Sequence, residues 1–71
     1  MNQYQKISNF CDKHGSITPM DAFAHLHITK LATRVSEMRR MGYEFTQAME
    51  SHTNSEGDTS RYMRYRKVSN P

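Results

Sequence analysis

Cysteine is nearly absent from this chain. Cys11 is the only one in 71 residues, so no internal disulfide can form and a reducing interior is the expected setting. No apolar run approaches the roughly 18 residues of a membrane span, and no signal-peptide core follows Met1. The expected place is therefore the cytoplasm, with no membrane partner. Catalytic motifs are missing as well: there is no glycine-rich phosphate loop, no nucleophile elbow and no acid–base pair. No enzyme activity and no cofactor are expected. At 35% hydrophobic residues, the chain supports only a thin core, because a domain this small buries about 60% of its unfolded surface.

What is present is positive charge in two places. The formal net charge is +3, which alone is weak evidence for a polyanionic partner. Its distribution says more. Lys30, Arg34, Arg39 and Arg40 face one nearby acid, Glu37, and the segment from Arg61 to Pro71 carries Arg61, Arg64, Arg66 and Lys67 with no acid at all. Two basic segments in an otherwise balanced chain form an electrostatic footprint of the kind nucleic acids select.

Local signals divide the chain into short elements. Asn2 to His14 reads as a helix, with Asn2 as cap, Tyr4, Ile7 and Cys11 on one face, and Gly15 as a left-handed stop. Ser16-Ile17 has room only for a connector or a minimal strand. Thr18-Pro19-Met20-Asp21 is a capping sequence with proline at the first helical position; the helix it starts is expected to turn Met20, Phe23 and Ala24 inward and to end by Leu26. After a turn at Leu26-His27-Ile28, Thr29 is expected to cap a helix over residues 29–41. Spacing of about 100° per residue gathers Ile28, Leu31, Ala32, Val35 and Met38 on one arc. Thr29, Lys30, Thr33, Ser36, Glu37 and Arg40 fall on the other, with Arg34 at its border and Arg39 out of place on the apolar side. Glu37 is placed to pair with Arg34 or Arg40 along the helix.

Beyond Gly42 the period changes to two. Tyr43, Phe45 and Gln47 alternate with polar residues as in a strand, and Met63 and Tyr65 alternate with Tyr62, Arg64 and Arg66 in a second. Residues 51–60, SHTNSEGDTS, read as a mobile polar loop between them. The expected fold is α+β: a three-helix helix-turn-helix core followed by a β-hairpin, the order of a winged helix. Residues 1–68 are expected to form a single domain, with 69–71 a flexible end.

The stretch GSITPMDAF…LATRVSEMRRMGYEF…RYMRYRKV also resembles the small winged helix-turn-helix domains often encoded by phages and prophages. The matching residues are Gly15 to Thr18, Leu31-Ala32, Arg34-Val35, Arg39, Gly42-Tyr43 and Arg64-Tyr65. Met38 replaces a leucine of that pattern, and Lys67 adds charge near its end. The resemblance implies a DNA-binding domain of a mobile element, working in a bacterial host as a transcriptional regulator or recombination accessory factor.

In that reading the 29–41 helix enters the major groove of double-stranded DNA. Thr29, Lys30, Thr33, Arg34, Ser36, Arg39 and Arg40 are its candidate contacts, and Arg61, Tyr62, Arg64, Arg66 and Lys67 hold the backbone from the wing. Specificity is expected to require a second copy or a larger complex. The alternative is a protein-binding module that inhibits or redirects a host protein through the 51–60 loop. Cys11, His14, His25 and His27 have spacings that zinc can use, but a single thiolate on a buried arc is a poor structural site; no metal is expected.

Overall fold

The computed structural model describes residues 1–71. Three helices precede one hairpin: α1 (Gln3–His14), α2 (Pro19–Leu26), α3 (Leu31–Arg40), β1 (Glu44–Thr53) and β2 (Thr59–Ser69). Reciprocal side-chain bonds start α1 and α2. Asn2 accepts from the Gln5 amide while Gln5 accepts from that of Asn2, and Thr18 and Asp21 do the same at α2. Each box satisfies two amides that a helix start otherwise leaves open. Gly15 stops α1 at φ 88°, its N–H donating to the Cys11 carbonyl at 2.7 Å.

The sheet is built around β2. It pairs antiparallel with β1, Gln47 lying opposite Tyr65. On its other side Ile17 exchanges both backbone bonds with Tyr65, at 2.8 and 2.9 Å. Ile17 is thus the minimal strand, one residue long, that joins the helices to the hairpin. Beneath it the core consists of Ile7 and Cys11 from α1, Ala22 from α2, Leu31, Val35 and Met38 from α3, with Ile17, Ile28, Phe45 and Tyr65. Burial raises the Cys11 thiol above its ordinary pKa, so it packs as a small apolar group.

Several sequence expectations need correction. In α2 the buried residue is Ala22, while Met20 and Phe23 are 71% and 58% exposed and Ala24 also faces out. Both flanks of this two-turn helix are apolar, and the fold uses the one with the smaller residue, which allows close approach. Ala32 likewise lies outside the core. Thr29 does not cap α3: the cap position is Lys30, without a side-chain bond, and the helix spans ten residues rather than 29–41. The loop expected at 51–60 shrinks to residues 54–58, where Asn54 Oδ1 accepts from the amides of Glu56 and Asp58 and Gly57 takes φ 89°.

The C-terminal residues are not loose. Ser69 belongs to β2, the Ser8 hydroxyl reaches Asn70 Oδ1 at 3.5 Å, and Pro71 lies against Gly42. Gly42 has φ 106°, and a Cβ there would meet Pro71 Cβ at 2.9 Å. Glycine is needed for both reasons. No helix is long and apolar enough to cross a membrane.

Candidate nucleic-acid interface

α3 is anchored along both borders and open between them. On one border, Arg34 Nη1 donates to Glu37 Oε1 at 2.5 Å, and the Tyr4 hydroxyl of α1 donates to the same oxygen at 3.0 Å. On the other, Arg39 Nη2 donates to the Phe45 carbonyl at 3.3 Å and to Gln47 Oε1 at 2.8 Å, binding the helix end to β1. Arg39 thus occupies its odd position because β1 supplies acceptors there.

Between these borders Lys30, Thr33, Ser36 and Arg40 are exposed, and their side chains take part in none of the hydrogen bonds or ion pairs that hold the fold. Thr29 is exposed beside Lys30. With a rise of about 1.5 Å per residue, Lys30 and Arg40 stand about 15 Å apart along the helix. That is comparable to the roughly 12 Å width of a major groove. The sequence-predicted contacts therefore separate into an open arc and two anchored arginines.

The wing divides similarly. Lys67 lies on the Tyr65 side of β2 and its side chain is only 5% exposed, with Nζ 2.6 Å from Asp12 Oδ1 and 2.7 Å from Ser8 Oγ. It is a tie between β2 and α1 and does not reach the outer surface, which corrects its expected place among the backbone contacts. Arg64 is also engaged, through Nε to Glu50 at 2.8 Å and Nη1 to Ser16 at 2.8 Å. Arg61 and Arg66 are exposed without a carboxylate partner, and Tyr62 is half-buried. Past them the tip carries Glu56 and Asp58, whose charge repels phosphate. Unpaired positive charge thus lies along the middle of the ribbon and negative charge at its end.

The Arg64 hydrogen bond holds the Glu50 carboxyl below the ordinary carboxylate range, and Glu50 in turn raises Arg64. A depressed folded value means that the pair stabilises the hairpin fully above the unfolded carboxylate pKa. Its contribution is lost as pH falls through the lower folded value. Thermal melts of the native chain and Glu50→Gln should therefore differ at neutral pH and converge in acid.

A second basic cluster escaped the sequence reading. Lys6, Lys13 and His14 of α1 and His25 of α2 surround Phe10, whose ring centroid is 4.4 Å from His14 and 5.6 Å from His25. Its members come from two helices, so only their packing assembles them; the i, i+3 and i, i+4 spacing of Lys6, Phe10, Lys13 and His14 was the one local sign.

A helix-turn-helix whose third helix turns an open polar arc outward, followed by a long hairpin, has a counterpart among known proteins. The family described as the winged helix-turn-helix domain matches residues 2–67. This chain belongs to that family. No curated protein and no solved structure matches it. A winged helix-turn-helix is typically a DNA-binding, non-enzymatic fold, and this membership points to DNA as the partner. Within the winged helix, the match takes in α1, α2, α3, β1 and all but the last two residues of β2.

Proposed function

We propose that this winged helix is a sequence-specific DNA-binding protein of a phage-like element, acting in the cytoplasm of a bacterial host as a transcriptional regulator or recombination accessory factor. The observation that carries the reading is the division of α3. One border is fastened to α1 through Glu37, which takes bonds from both Tyr4 and Arg34, and the other to β1 through Arg39, while Lys30, Thr33, Ser36 and Arg40 stand together with no partner in the fold. A helix held rigid at its borders presents its middle in one geometry, which base discrimination needs.

Lys30 and Arg40 donate to guanine edges or phosphates, and the hydroxyls of Thr33 and Ser36 meet either. Thr29 adds a hydroxyl beside the helix start. Arg61, Arg66 and Tyr62 hold the backbone from the ribbon. Arg34, Arg39 and Arg64 act by positioning these groups. The mobile-element assignment rests on the resemblance of the Gly15–Thr18, Leu31–Val35 and Arg64-Tyr65 motifs to phage-encoded domains. A single domain touches few base pairs, so two copies on one site supply useful specificity.

Selection from random duplexes tests this reading, and it should enrich a defined motif. Salt titration on the selected site should show a log–log slope of about −0.9 per phosphate contacted, hence roughly −2 from Arg61 and Arg66 alone and steeper with each further phosphate contact. A flat titration with no enriched motif overturns the proposal.

A further inference from the structure

One side of β1 is open. Tyr65 exchanges both of its backbone bonds with Ile17, so Gln47–Tyr65 is a non-hydrogen-bonded pair of the hairpin. Alternation then directs the N–H and C=O of Gln47, Met49, Ser51 and Thr53 outward along the edge that faces away from β2. Only the base of this edge is closed, where Arg39 bonds to Phe45 and Gln47.

Proteins blunt such edges with lysine, proline or bulges. From Ala48 to Thr53 there is no lysine, arginine or proline, and the one register shift lies at the far end, between Glu44 and Phe45. The single charge here, Glu50, is paired with Arg64. Met49 is 61% exposed and sits opposite the half-buried Met63.

We propose that this edge is where two copies of the chain associate, β1 pairing antiparallel with β1 about a two-fold axis at Met49. The resulting sheet has four strands, and across its centre runs an unbroken methionine row: Met63, Met49, and the same two residues of the second copy. In this register Gln47 lies opposite Ser51, Ala48 opposite Glu50, and Thr46 opposite His52. Centring on Glu50 would set two carboxylates face to face, which destabilises a sheet. Either register stops short of the Phe45 carbonyl that Arg39 already occupies, and centring on Ala48 then leaves only Gln47 and Met49 to bond, a shorter ladder than Gln47, Met49 and Ser51 make. The interface is self-complementary, as a two-fold contact must be. It uses β1 alone, leaving the open arc of α3 and the β2 residues Arg61 and Arg66 uncovered.

Sedimentation of the full chain without DNA tests the pairing, so its outcome is separate from whether α3 reads bases. The native chain should shift from monomer to dimer as concentration rises. Met49→Pro removes an N–H that points outward and makes no bond within the hairpin, a position where an edge strand accepts proline. Circular dichroism should be retained and the dimer lost. Should that variant unfold, Met49→Lys and Met49→Glu decide: each alone should be monomeric, and an equimolar mixture should dimerise. A native chain that stays monomeric at its highest soluble concentration overturns the proposal, as does a dimer indifferent to a folded Met49→Pro or to Met49→Lys.

Discussion

Replacing Lys30 and Arg40 together by alanine is expected to weaken binding to the selected duplex by about thirtyfold to twenty-thousandfold. Each base contact of this type contributes about 1–3 kcal/mol of discrimination, and 1.4 kcal/mol is a factor of ten. The fold should survive. Lys30 occupies the α3 cap position without a side-chain bond, and Arg40 is exposed at the helix end with no ion pair. The variant should thus melt near the native temperature while its preference for the selected site over random duplex collapses. Fluorescence anisotropy on both duplexes checks this. Unchanged preference in a folded double variant would remove α3 from base reading. Arg34→Ala and Arg39→Ala provide a contrast, since the first takes the arginine from the Glu37 carboxylate that Tyr4 of α1 holds and the second breaks the tie to β1; each should alter stability along with affinity.

Ile17→Ala should produce the largest loss of stability. Ile17 is fully buried, among the largest side chains in the core, and is the single residue bridging to Tyr65. Truncating a buried isoleucine to alanine costs about 2–5 kcal/mol. Domains hold about 0.05–0.15 kcal/mol per residue, or about 4–10 kcal/mol at this length. Each kcal/mol moves the melting temperature of so small a domain by about 4–8 °C, so a fall of about 10–40 °C is expected. Met20→Ala should barely register, because Met20 lies outside the core and surface changes stay within about 0.5 kcal/mol. A thermal scan of the two variants separates them, and equal melting temperatures would refute the role given to Ile17.

Legibility in the sequence followed the range of the interactions. The Asn2 cap, the Thr18–Asp21 box and the Gly15 stop are local, spanning three or four residues, and could be located from the sequence alone; so could the pairing of Glu37 along its helix, though Arg34 and Arg40 are equally spaced for it. The buried face of α2 could not. Met20, Phe23 and Ala24 form one apolar flank and Ala22 and Leu26 another, and only the neighbours decide between them. The outer half of the hairpin carries no strand signal in the sequence because neither face of the ribbon there is buried. An unburied strand has no reason to alternate apolar with polar residues, so the period-two signal disappears while pairing persists. Lys67 shares the parity of Met63 and Tyr65, which pointed inward. Its acceptor Asp12 lies so far upstream that charge alone suggested an exposed side chain. On α3 the open arc could be drawn from helical spacing, whereas the fastening of Glu37 by Tyr4 and of Arg39 by Gln47 depends on tertiary contacts.

The strand that completes the core comes late in the chain. Ile17 finds its backbone partner at Tyr65, and the α1 groups Ser8 and Asp12 wait for Lys67. During synthesis, the helices therefore emerge from the ribosome with their apolar sides uncovered until residue 67 has left the exit tunnel. Pairings across so much sequence slow folding, since loop closure precedes the contacts that reward it. A chain interrupted within β2 should be degraded rather than persist as a three-helix fragment.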